Sequence, residues 1–191
     1  MNRSLGRWTS HSVGLATSVA DVAAERIVVL EADREISFSF ADMLDYHGGG
    51  SPGGVAHAFK VMQRGLPFLE DGGPVERRAI LIETAFGGPG ARDAFELVTR
   101  AVSEARFRLD PSLARPEHGR ARERFVFRLG CRDRAVTLTL REGFVTDEFI
   151  DLTRQDSRSV DEERRLTAMK SDMAARVMSA AASAVYDAAV S

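Results

Sequence analysis

Arg77 to Thr84 reads RRAILIET, the glycine-rich step Gly87 to Gly90 (GGPG) follows, and Ala91 to Ala105 then sets Phe95, Leu97, Val98 and Val102 at helical spacing. A compact apolar run, a turn signal and an amphipathic segment predict a strand, a loop and a helix in that order. The same step into a helix occurs earlier, where Gly48 to Gly54 (GGGSPGG) precedes the stripe Val55, Phe59, Met62 and Leu66, stopped by Gly65 and Pro67. A helix start carries unpaired N–H groups and about half a positive charge, and glycine lets a ligand come close to the backbone. Two such loops form the candidate lips of one anion pocket, with Gly48, Gly49, Gly50, Ser51, Gly53, Gly87, Gly88 and Gly90 as ligand-binding residues. Taken singly, each loop also reads as a tight turn. Neither has the Lys-Ser/Thr ending of a P-loop or the full dinucleotide fingerprint.

Outward from this unit, Arg26 to Leu30 (RIVVL) predicts a short strand, and Ser37 to Tyr46 turns to helical spacing, with Ser39 and Asp42 placed to cap it. Glu104 to Arg108 predicts a brief strand, and the proline-marked stretch Asp110 to Arg120 a surface loop. Phe125, Phe127 and Leu129, then Val136, Leu138 and Leu140, alternate with other residues on either side of Gly130-Cys131-Arg132-Asp133, which predicts a hairpin. Ser159 and Glu162 form a capping box before a long helix whose stripe runs through Leu166, Met169, Met173, Val177, Ala181 and Val185. That helix is expected to pack across the sheet or to join a homodimer. Residues Met1 to Glu25 hold no continuous apolar run, so they read as a loosely ordered arm rather than a secretion signal or membrane span, ahead of a single domain over 26–191.

With 191 residues, 44% of them hydrophobic, the chain can bury one core. Its 26 basic and 28 acidic residues are interspersed and leave a net charge of −2, which argues against nucleic-acid and anionic-membrane partners. Lysine occurs only at Lys60 and Lys170, so any anion recognition falls mainly to arginine forks. A single cysteine, Cys131, excludes an intrachain disulfide and multi-cysteine metal sites, and fits a reducing cytoplasm; at a turn it reads as structural.

The order of elements and the residues of both loops resemble the formylmethanofuran dehydrogenase E-like family. The family's aromatic-His-Gly-His-x-Cys-Pro-Gly segment corresponds to Tyr46, His47, Gly48, Gly49, Gly50, Ser51, Pro52 and Gly53. Its second signature is similar to Asp93, Ala94, Phe95 and Glu96 followed by Thr99, and its closing helix to Asp161–Tyr186, with Met173, Ala174 and Arg176 in the middle. The resemblance implies an α+β domain with a mixed sheet, helices packed on it and a long C-terminal helix, often paired into dimers, and a link to one-carbon or pterin metabolism. It also implies metal ligation at the first loop, but Gly49 and Ser51 stand where a His and the Cys belong, so no metal and no cofactor are expected.

The remaining site candidates are individual side chains. His47, at the mouth of the first loop, and Glu83, ending a strand beside the second, are the acid–base candidates, with Asp45 placed to orient the imidazole. For Glu83 the favoured reading is an ion pair with Arg92, itself the fork for an incoming carboxylate or phosphate at the pocket edge. Ser51 before Pro52 reads as a helix cap, His57 as a histidine with a structural partner, and Arg77-Arg78 as a solvated face. The expected function is a small-anion binding or accessory protein, with an enzyme using His47 and Glu83, or a structural interaction protein, as alternatives.

Overall fold

The computed structural model describes residues 25–191, so the expected N-terminal arm lies outside the described residues except for Glu25. Strands β1 (Arg26–Glu31) and β2 (Arg34–Ser39) form a separate antiparallel hairpin. The main sheet is mixed. It contains β3 (Leu81–Thr84), β4 (Phe107–Leu109), β5 (Val126–Cys131), β6 (Arg134–Leu140) and β7 (Tyr186–Val190) in the order β4-β3-β5-β6-β7, with only β3 and β4 parallel.

The helices are α1 (Phe40–His47), α2 (Pro52–Gly65), α3 (Pro89–Thr99), α4 (Asp147–Thr153), α5 (Val160–Met178) and the single turn α6 (Ala182–Val185). The fold is α+β. Capping boxes start α1 at Ser39/Asp42 and α5 at Ser159/Glu162, as their spacing predicts. Prolines at the first turn start α2 and α3, where the missing N–H costs nothing.

Helix α2 is the axis of the core. Its predicted stripe is buried, but so are Ala56, His57, Ala58, Lys60 and Val61, because α1, α3, α5 and the sheet surround it. A helix covered on all sides must satisfy its polar residues internally. Lys60 does so 2.9 Å from the Glu25 carboxylate, and His57 Nδ1 lies 2.8 Å from the Tyr186 hydroxyl. The C-terminal end of α2 settles on the sheet at Gly65, where a Cβ would lie 2.7 Å from Leu129 Cδ1 and 3.1 Å from Leu138 Cδ2.

Strand alternation gives the sheet two unlike faces. Ile82, Thr84, Phe127, Leu129, Val136 and Leu138 are buried beneath the helices, whereas Leu81, Glu83, Arg108 and Arg128 lie on the other, open face.

Three sequence expectations need correction. Helix α5 ends at Met178, before Ala181 and Val185; the chain turns through α6 into β7, a strand too rich in alanine to show alternation. Helix α5 also packs on α2 rather than across the sheet, burying Leu166, Met173 and Val177. Arg77 is buried, not solvated: its Nε donates to the Val98 carbonyl at 2.7 Å and its Nη1 to Glu31 at 3.0 Å.

Candidate functional site

The two glycine loops meet where α2 and α3 begin. A Cβ on Gly90 would collide with the Ser51 carbonyl oxygen, and one on Gly54 would fall 3.1 Å from the Ala91 amide nitrogen. Gly53 likewise admits α5, since a Cβ there would sit 2.8 Å from Met173 Sδ and 3.3 Å from the Lys170 carbonyl oxygen. These glycines therefore bring three helices together. Gly48 and Gly49 serve differently, with φ angles of 78° and 83° that let the chain leave α1 through a left-handed turn.

Beside the joined helix starts lies a cleft of about 500 Å³. Ser51, Gly53, Gly54 and the whole second loop, Gly87 to Gly90, form one side, so the two loops share the cleft, although Gly48, Gly49 and Gly50 do not line it. Phe86, Phe125, Phe149, Ile150, Leu166 and Met173 supply apolar lining, while Arg120, Arg124, Arg154, Arg158 and Lys170 bring positive charge. Among the described residues none of the lining side chains is a carboxylate. The acids that balance these cations stand outside. Arg154 meets Glu123 at 2.8 Å, Arg158 meets Glu163 at 2.6 Å, and Arg120 pairs with Asp151. Arg158 also donates to the Leu152 and Gln155 carbonyls at 3.1 and 2.9 Å, which pins its guanidinium. Arg124 is the most loosely held, 4.0 Å from Glu123 and 64% exposed.

None of these five cations stands out in the sequence as a site residue. Arg154 and Arg158 are one helical turn apart in number, but Arg120 ends a stretch that reads as surface loop, Arg124 falls between that loop and the run from Phe125, and Lys170 comes from a helix that reads as packing. Only tertiary contact assembles them.

The individually predicted residues fall elsewhere. Ser51 occupies the N-cap position of α2 but makes no side-chain cap hydrogen bond. Arg92 is exposed and, like His47, lies outside the cleft lining. Glu83 pairs with Arg108 and with Arg128, the latter at 2.8 Å, rather than with Arg92; these contacts hold its carboxyl below the ordinary value of 4.5, not above it. It belongs to the open sheet face, and His47 to the helical layer on the other side, so the structure does not bring the two together.

His47 is oriented by Asp93, not by Asp45: its Nδ1 lies 2.7 Å from Asp93 Oδ2. The contact joins the end of α1 to the first turns of α3. The imidazole is 8% exposed, and its Nε2 is buried without a hydrogen-bond partner among the described residues. His57 shares the orphaned Nε2 but not the charge environment. Packed on Phe125 and Tyr186, it is held neutral by burial, its pKa pushed down to about 3. Cys131 is buried at the end of β5, which pushes its thiol pKa up and leaves a poor nucleophile.

Among the described residues, no three His, Cys, Asp or Glu side chains converge as a metal ion requires, so the donors present do not fit the metal site implied by the resemblance. No helix among them is long and apolar enough to cross a membrane. No protein-family model matches the chain, and no curated protein matches its sequence.

Proposed function

We propose that the protein binds a small organic anion in the cleft between the starts of α2 and α3, as a binding or accessory protein of the cytoplasm. The observation that carries this reading is the cleft lining itself: five cationic side chains, no carboxylate among the described lining residues, and two helix N-termini at one wall. Backbone N–H groups and guanidinium forks both favour negative charge, and each reinforces the other. The phenylalanines and the Ile150, Leu166 and Met173 side chains suit a ligand with an apolar body behind its charged group. A carboxylate or phosphate on a ring or short chain matches both.

The likeness of residues 46–53 and 93–99 to the formylmethanofuran dehydrogenase E-like family directs the search first to anions of one-carbon and pterin-linked chemistry. Fold-level analogy carries no more than that. Isothermal titration with a panel of such anions, and with phenyl phosphate as a generic probe, tests the reading. Binding in the wild type that weakens about tenfold or more in Arg124→Ala, the expected cost of a lost charge-assisted contact, supports it. Equal affinity in both proteins, or no binding of any member, contradicts it.

A further inference from the structure

We propose that His47, held by Asp93, is a proton-transfer group behind the glycine strap Gly48 to Gly50, acting on a weakly acidic O–H or N–H of the organic anion seated in the neighbouring cleft. The inference rests on the cleft reading above and adds a chemistry to it. Its starting point is an unmet requirement. A buried polar nitrogen is nearly always hydrogen-bonded, yet His47 Nε2 has no partner among the described residues, in a side chain more than nine-tenths buried. A carboxylate can only accept, so the ring donates to Asp93 from Nδ1, and in the neutral imidazole that arrangement leaves the Nε2 lone pair free.

Gly50 lies in front of Nε2. A methyl group added to Gly50 would sit 3.9 Å from Nε2, so the absent side chain is what leaves space in front of the ring. Gly50 has no positive φ to require glycine, unlike Gly48 and Gly49, around which an added Cβ would meet nothing within 4 Å. The strap is thus unpacked, and the Lys170 ammonium ties it down by donating to the Gly50 carbonyl at 3.1 Å. The next residue, Ser51, lines the cleft, as does Lys170 itself. An anion drawing Lys170 toward its own charge weakens that tie. When the strap lifts, Nε2 takes the proton from the ligand's O–H or N–H; the ligand keeps the bonding pair and gains one negative charge, and the imidazolium is paired with Asp93. Returning the proton reverses each change.

Diethyl pyrocarbonate, which acylates an unprotonated imidazole nitrogen, reads this directly in the full-length protein when modified peptides are followed by mass spectrometry. His47 is expected to react at least tenfold faster than His57. Lys170→Met should speed the reaction severalfold, and Gly50→Leu should slow it severalfold by filling the space before Nε2. Asp93→Asn should also slow it, because an amide can donate to Nδ1 and move the ring proton to Nε2; circular dichroism checks that each variant is folded, and Gly50→Leu, whose Cβ has His47 Nε2 as its one neighbour within 4 Å among the described residues, stands if Asp93→Asn unfolds. A His47 as inert as His57, or a rate unchanged by Gly50→Leu, overturns the inference and leaves the dyad a structural tie. Phenyl phosphate titration, run separately, distinguishes the two claims: binding with an inert His47 sinks only this inference, whereas a reactive His47 without binding sinks the cleft reading.

Discussion

Arginine crowds two regions of this molecule, and they are built in opposite ways. On the open sheet face, Arg108 and Arg128 converge on one carboxylate, Glu83, which sits between them in the patch. In the cleft, the carboxylates stand behind the guanidinium groups, at Glu123, Asp151 and Glu163, and none lines the space that the cations share. The cavity on the sheet face measures about 680 Å³ against about 500 Å³ and is also lined by five arginines, Arg106, Arg108, Arg128, Arg132 and Arg134, but two carboxylates, Glu83 and Asp133, stand among them. Cavity size alone does not tell the two regions apart. The placement of counter-charge, with helix starts on one side only, separates the sheet face from the cleft that we propose takes up an anion.

Three changes sharpen the contrast. The largest effect is expected from glycine. Gly90→Val drives a side chain into the Ser51 backbone and should cost about 3 kcal/mol or more, lowering the melting temperature by roughly 6 °C or more, whereas Gly130→Ala on the sheet face, whose new methyl meets its nearest neighbour at 3.7 Å, should change it little. Thermal unfolding of the two variants checks this, and similar losses would mean that the helix starts are not as closely joined as described.

Next comes binding. Arg158→Ala should weaken phenyl phosphate about tenfold to a hundredfold, the range of a charge-assisted hydrogen bond, and Arg128→Ala should leave its affinity unchanged. Titration calorimetry on both variants decides. A loss on Arg128→Ala instead would move the anion to the sheet face.

The smallest effect is acid sensitivity at Glu83. Hydrogen bonds from Arg108 and Arg128 hold its folded pKa below the ordinary value, so its contribution is present above about 4.5 and is lost as the pH falls through the lowered folded value. Glu83→Gln should therefore destabilise the protein modestly at pH 7, by about 1 kcal/mol or less for a surface cluster, and the difference from wild type should shrink as the pH falls below 4.5 through the lowered folded value. Unfolding midpoints measured across that range check the sign.

How far the sequence can be read follows from the range of the forces involved. The capping boxes at Ser39 and Ser159, the hairpin of β5 and β6, and both loop-to-helix steps are local, and their residues announce them within a few positions. Strand β7 escapes such reading because Tyr186-Asp-Ala-Ala-Val carries no pattern; it is fixed by pairing with β6 and by Tyr186 fitting beneath His57 and Phe127. Lys60 and Arg77 look like surface residues until Glu25 and Glu31 arrive from distant parts of the chain. The glycine loops are legible as helix starts, but not as the contacts by which α2, α3 and α5 approach one another. For His47, sequence proximity favours the wrong carboxylate, since Asp45 is close along the chain and Asp93 only in space.

The central claim is that an anion settles at the joined starts of α2 and α3. The most direct test is amide mapping by nuclear magnetic resonance as phenyl phosphate is added to the full-length protein. The account predicts saturable shifts at Gly53, Gly54, Gly90 and Ala91, with Phe125 responding to the ring and the same titration moved about tenfold to higher ligand concentration in Arg124→Ala. Shifts confined to Glu83, Arg108 and Arg128, or none at all, would contradict it.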